Sequence, residues 1–213
     1  MTKEYTALGL MSGTSGDGVD ASVIKSNGSD DYKVILDSYF SYPKEIFKSI
    51  HSLRGKIKNL KDLKTNQKEL GNLEKEITLF HADVVKKIIK NTSQNIDLIG
   101  FHGQTIFHDG DKKISKQLGD GKLLSKSVKK TVVYDFRQND LKNGGQGAPL
   151  TPIFHGLIAY KHKLIPPNIF VNIGGIANMT YLGPQITGDG RYVGTEWSAH
   201  DLCLGNCLID QWI

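Results

Sequence analysis

The residues best equipped for chemistry fall in five short segments. The first, Gly9-Leu10-Met11-Ser12-Gly13-Thr14-Ser15-Gly16-Asp17-Gly18-Val19-Asp20, joins two apolar stretches. Its glycines permit positive φ, so backbone N–H groups between Gly13 and Asp20 can face one point and form an anion nest. Thr14 and Ser15 add hydroxyl donors. Asp17 or Asp20 could hold Mg²⁺ beside bound phosphates, directly or through water. A plain Gly-rich hairpin turn, capped by Ser and Asp, fits the same residues. The segment is not a P-loop, because no Gly-Lys-Ser/Thr ending follows it.

Gly100-Phe101-His102-Gly103-Gln104-Thr105 follows an apolar run, at the strand end where α/β folds place ligand contacts. His102, Gln104 and Thr105 suit sugar hydroxyls and amides, although a lone His is as well explained by a structural role. Asp135-Phe136-Arg137 precedes Gly144-Gly145-Gln146-Gly147-Ala148-Pro149-Leu150. Arg137 could grip a carboxylate through two parallel N–H bonds, or pair with Asp135. Gly145 and Gln146 allow backbone and amide to approach a polar ligand. Val171-Asn172-Ile173-Gly174-Gly175-Ile176-Ala177-Asn178 is a second Gly-rich turn between strands, open to phosphate or to an ordinary hairpin role. Asp201 opens Asp201-Leu202-Cys203-Leu204-Gly205-Asn206, ahead of an expected helix. There it is a candidate general base or a plain helix cap.

The elements that must position these segments follow from apolar patterning. Strands are expected at Tyr5–Met11, Val19–Lys25 and Tyr32–Phe40, with Asn27-Gly28 as a hairpin turn. Pro43 opens a helical region. Leu63, Leu70, Leu73, Ile77, Phe80, Val84 and Ile88 then form a helical stripe facing the core. Further strands fit Ile96–Phe101, Ile114–Leu118 and Thr131–Val133, with a helix near Lys122–Val128. This order is that of an α/β domain. Pro166-Pro167 breaks the pattern, and strands at Phe170–Ile173 and Ala177–Leu182 begin a second domain. The expected division is 1–165 and 168–213.

Composition narrows the function. The 213 residues are 38% apolar, enough for a packed core. The net charge of +5 comes largely from lysines between Lys44 and Lys90, mixed with Glu and Asp. No aromatic-plus-Arg stripe accompanies them, so they read as a solvated helix face rather than a nucleic-acid surface. Cys203 and Cys207 are too few for a disulfide framework and lack a His to complete a zinc set. No signal-like start and no apolar run of membrane length appears. A cytoplasmic protein without membrane or nucleic-acid partners is expected.

Taken together, the five segments resemble the anhydro-N-acetylmuramic acid kinase family. The family's opening pattern Gly-Leu-Met-Ser-Gly-Thr-Ser-x-Asp-Gly-x-Asp is met by Gly9 to Asp20. His102–Thr105, Asp135–Arg137, Gly144–Leu150 and Asn172–Asn178 follow in the family's order. Two places depart from the pattern: Gly16 stands where the family has a bulky aliphatic residue, and Leu202 to Leu204 replace a Gly-Pro-containing stretch. The resemblance implies an actin-like ATPase (ribonuclease H-like) α/β fold, with a mixed sheet, flanking helices and the first strands of a second similar domain. It implies a phosphotransferase that uses ATP and Mg²⁺ to convert the anhydro-sugar and water to N-acetylmuramic acid 6-phosphate in cell-wall recycling and amino-sugar metabolism.

On that resemblance Gly13, Thr14, Ser15, Gly16, Asp17, Gly18, Val19, Asp20, Gly174 and Gly175 hold ATP phosphates, and Asp17 and Asp20 hold the metal. His102, Gln104, Thr105, Asp135, Arg137, Gly145 and Gln146 hold the sugar. Asp201 is the catalytic base. The family's members are longer and include a homodimer, so this chain is expected to stop part-way into the second domain. Its alternatives are a non-catalytic sugar-binding remnant and a gene fragment.

Overall fold

The first strand sets the frame. In β1 (Tyr5–Ser12) Thr6, Leu8, Leu10 and Ser12 are buried, while Tyr5, Gly9 and Met11 face outward. This alternation is that of a half-buried strand. In the computed structural model, residues 3–186 and 192–206 are described. β1 turns at Gly13–Asp17 into antiparallel β2 (Gly18–Ser26), which pairs with β3 (Tyr32–Ser41). At the second turn the Asn27 side chain accepts the N–H groups of Ser29, Asp30 and Asp31. The expected meander is therefore present.

The expected helical stretch divides into α1 (Lys44–Lys56), α2 (Leu60–Thr65) and α3 (Gln67–Asn91). The breaks fall at residues 57–59 and at Asn66, whose side-chain amide donates to the Asp62 carbonyl. Along α3 the predicted stripe is inside: Leu70, Leu73, Ile77, Val84 and Ile88 are buried against the sheet, with His81 among them. β4 (Leu98–Asp109) is longer than expected, because it changes partners along its length. Residues 98–101 pair in parallel with both β1 and β6 (Thr131–Tyr134). From Gln104 onward β4 pairs antiparallel with β5 (Ile114–Leu118). Gly103, at φ +74°, marks the change.

The result is a six-stranded mixed sheet in the order β3-β2-β1-β4-β5, with β6 also on β4. Two short helices complete this part. Asp120 caps α4 (Gly121–Val128) by accepting the N–H groups of Lys122 and Leu123. α5 (Phe136–Lys142) follows Asp135.

The chain divides into two compact units, Met1–Gly147 and Ala148–Ile213. In the second, α6 (Pro152–Lys161) packs on an antiparallel sheet of β7 (Asn168–Ile173), β8 (Ile176–Ile186) and β9 (Tyr192–Leu204). The division thus falls ahead of the Pro166-Pro167 break, because α6 contacts β8 and β9. A mixed sheet with flanking helices followed by a second meander is the α/β arrangement of an actin-like ATPase. Among the described residues no helix is long and apolar enough to cross a membrane.

Candidate functional site

The Gly13–Gly18 turn is tied at its carbonyls and side chains by residues far away in sequence. Gln104 Nε2 donates to the Gly13 carbonyl at 2.8 Å. The Arg54 guanidinium, from α1, donates to the Thr14 carbonyl. Tyr42 N–H donates to the Asp17 carbonyl at 2.8 Å. Within the turn, Gly16 N–H closes on the Gly13 carbonyl at 3.2 Å. Gly16 has φ +68°, and a Cβ there would lie 3.0 Å from Ile50 Cγ2. Its conformation suits glycine, and the missing side chain leaves room for the packing beneath.

Among the described residues no hydrogen bond occupies the N–H groups of Thr14 and Ser15. Two adjacent donors near the Arg54 charge are thus without a partner among those residues, which is one thing an anion nest requires. Val19 is different from its neighbours: its side chain is fully buried in β2, so only its backbone can face a ligand.

The two acidic residues differ. Burial pushes the Asp17 carboxyl up, but hydrogen bonds from Ser15, its own N–H, Tyr39 and the Gly18 N–H outweigh it and hold it below the usual range. Asp20 is raised, first by burial and then by the Asp17 charge. The Asp17 charge beside Asp20 is of a kind that a nearby cation would relieve. Among the described residues no cluster of three or more His, Cys, Asp or Glu is arranged for a metal.

The second and third segments meet at His102. Arg137 Nε and Nη2 lie 3.1 and 2.8 Å from His102 Nε2, and Nη1 donates to the Gly147 carbonyl. His102 Nδ1 lies 2.7 Å from the Gly103 carbonyl. Nδ1 therefore carries the proton and Nε2 accepts from Arg137. Burial, reinforced by the Arg137 charge, lowers His102 to about 4, so the ring is neutral near pH 7. Arg137 thus spends three of its N–H groups within the chain, on His102 and on the Gly-rich loop. Gln104 is fully buried and turned toward Gly13, while Thr105 Oγ1 accepts from Gln117 Nε2 at 3.3 Å.

A cleft of about 260 Å³ is lined by His102, Ser115, Gln117, Tyr134, Asp135 and Gln138. Asp135 has φ +62°, an unusual conformation for a side-chain-bearing residue, and burial raises its carboxyl against the pull of Lys142 and Lys116. The loop beyond α5 is fixed from outside. Lys113 Nζ donates to the carbonyls of Gly144 and Gly145 at 2.7 and 2.8 Å, and Asp140 accepts the Gly147 N–H. Gln146 is exposed.

In the second unit the fourth and fifth segments come together. Gly205 N–H donates to the Gly175 carbonyl at 2.9 Å and Asn206 N–H to the Gly174 carbonyl at 2.8 Å. The carbonyls of the Gly-Gly turn are thereby consumed. Asp201 lies exposed in β9, opposite Asn178, not at a helix start. A bulge at the Ala177/Asn178 step separates it from Cys203, and bulges re-aim neighbouring side chains. The helix expected after it falls on residues 207–213, outside the described residues, as does Cys207.

A family model described as anhydro-N-acetylmuramic acid kinase matches residues 5–213. The chain belongs to the anhydro-N-acetylmuramic acid kinase family. The anhydro-N-acetylmuramic acid kinase of Pelagibacter ubique (strain HTCC1062) is 52% identical over 213 residues, covering 100% of this chain and 55% of its own length. Those of Agrobacterium fabrum and Rhizobium etli are 39% and 38% identical, over 100% and 98% of this chain. The chain spans about half the length of these curated relatives.

The motifs led to the turn at Gly13–Gly18 and to His102, and to two of the residues that hold them, Gln104 and Arg137, but not to the rest. Arg54, Tyr39, Tyr42, His81 and Lys113 lie outside every motif. Only the polar His81 within an otherwise apolar stripe carried a readable signal.

Proposed function

We propose that the chain carries phosphate- and sugar-binding elements of an ATP-dependent kinase acting on 1,6-anhydro-N-acetylmuramic acid. The observation that carries this reading is the Gly13–Gly18 turn, with its free Thr14 and Ser15 N–H groups beside Arg54. A donor pair of this kind stabilises phosphate oxygens without reorganising, which is most of what phosphoryl transfer asks of a protein. Gly174 and Gly175 are the second phosphate-facing turn on this reading. Asp17 and Asp20 would hold Mg²⁺, which supplies neutralisation of phosphate charge.

His102, Gln104, Thr105, Asp135, Arg137, Gly145 and Gln146 form the sugar side, with Gln104 and Arg137 acting through the backbone they hold. Asp201 takes a proton from water as the water oxygen bonds to the anomeric carbon. The bond from that carbon to O6 breaks, O6 takes the γ-phosphoryl group, and ADP leaves. The product is N-acetylmuramic acid 6-phosphate, an intermediate of cell-wall recycling, made in the cytoplasm.

The family name of relatives about twice as long supports this reading of the chemistry. A second reading is a sugar-binding protein without catalysis, supported by the grouping of His102, Gln104 and Arg137 within Met1–Gly147. Calorimetry separates them. Binding of both MgATP and the anhydro-sugar supports the kinase reading. Sugar binding with no response to MgATP supports the second, and no binding of either overturns both. Asp201→Asn should abolish whatever turnover is detected while sparing sugar affinity.

A further inference from the structure

Beneath the entry to the Gly13–Gly18 turn lies a buried polar chain. Ser12 is fully buried, and its Oγ stands 2.9 Å from Tyr42 OH and 3.1 Å from His81 Nε2. His81, on α3, is also fully buried, with Nδ1 2.8 Å from the Ile77 carbonyl oxygen. A carbonyl only accepts, so the proton sits on Nδ1 and Nε2 must accept from Ser12. The Ser12 oxygen then accepts from Tyr42. Donation therefore runs in one direction, Tyr42 to Ser12 to His81 to Ile77. Burial lowers His81 to about 4, which keeps the ring neutral and this order intact near pH 7.

An imidazole is an expensive occupant of this place. Its neighbours on α3 are Ile77, Thr78, Val84 and Val85, with the Thr78 hydroxyl already donating to the Glu74 carbonyl, and its ring packs 4.9 Å from that of Phe101. An apolar ring would fill the site without a buried polar group to satisfy. What the imidazole adds is a fixed acceptor for Ser12, the last residue of β1 before the turn. Gln104 Nε2 holds the next carbonyl, that of Gly13.

We propose that His81 is a positioning residue: through Ser12 it fixes the angle at which β1 enters the turn, and so aims the Thr14 and Ser15 N–H groups. The inference rests on the reading of that turn as the phosphate holder. His81 touches no ligand and acts only through Ser12.

Ser12→Ala removes the link with the loss of one oxygen atom, and Ser12→Thr keeps a hydroxyl there. Both are compared with the wild-type 213-residue chain by ¹⁵N relaxation of residues 13–16, by calorimetry with MgATP, and by thermal unfolding. In Ser12→Ala the order parameters of residues 13–16 should fall while those of β2 and α3 hold. MgATP affinity should weaken about 10-fold, and Ser12→Thr should restore both. His81→Phe should loosen the same four residues. A lowered unfolding midpoint with unchanged order parameters and unchanged affinity would mean that the buried chain only stabilises the core, and would overturn the proposal. If the wild-type chain fails to bind MgATP, the phosphate reading of the turn falls. The order parameters of the ligand-free variants still decide the role of His81.

Discussion

A Cβ built on Gly205 would lie 2.2 Å from the Gly174 carbonyl oxygen. No side chain can share that space, so Gly205→Ala must lift the Gly205–Asn206 segment off the Gly-Gly turn and break two backbone hydrogen bonds. The expected loss is about 1–3 kcal/mol, read as a lower urea midpoint in the second unit. Histidines set a second expectation. His81 and His102 titrate near 4 in the folded chain against an ordinary value of 6.5. Between those values the unfolded chain binds more protons, so stability falls as the pH drops from about 6.5 toward 4, then levels. For fully buried His81 the loss is roughly 3 kcal/mol. Asp17, held low, contributes stability that is lost only further into acid, as pH falls below its ordinary 3.8. Urea unfolding at pH 7 and pH 4.5 checks this, and His81→Phe should flatten the slope between them.

Lys113 connects two elements that share no backbone pairing, since its ammonium spans the Gly144 and Gly145 carbonyls. Lys113→Ala should speed amide exchange across residues 143–147 while leaving α3 and β1 protected. Asp120→Ala, which removes both capping acceptors of α4, should cost about 1 kcal/mol. The strands of the first meander and the α3 stripe were legible in the sequence, because period-2 and period-3.6 patterns are local. Helices α5 and α6 were not. α5 has only Leu141 buried and α6 is apolar on nearly every side, so neither shows a stripe. The motifs singled out Gln104 and Arg137 as polar residues able to contact a ligand. They could not show that Gln104 turns to Gly13, 91 positions away, or that Arg137 spends its fork on His102. Those partners are chosen by sheet pairing and helix docking, which leave no trace at either position. From sequence, Asp201 is expected ahead of a helix. The pairing of Asn178 with Asp201 places it in a strand instead.

The buried core cluster runs from Leu8 to Leu124 and lies wholly within Met1–Gly147. Residues 1–147 expressed alone should therefore unfold cooperatively in urea, with a sigmoidal loss of helical ellipticity. The second unit contrasts with it. Along β7 the side chains of Ile169, Val171 and Ile173 are 62%, 57% and 65% exposed on one face. Apolar strands so exposed invite pairing with other chains, so Val171→Lys should lower the self-associated fraction seen by light scattering. In the same unit, Trp197 borders a cavity of about 760 Å³ lined by Ala159, Tyr160, Leu164, Ile165 and Leu182. Both tryptophans of the chain, Trp197 and Trp212, come after Gly147 in the sequence, and Trp197 lies in β9. Indole fluorescence therefore arises only from residues beyond Gly147. Helical ellipticity is dominated by α1 and α3 of the first unit. Recorded on one sample during heating, the two curves would separate wherever one half of the molecule lets go before the other.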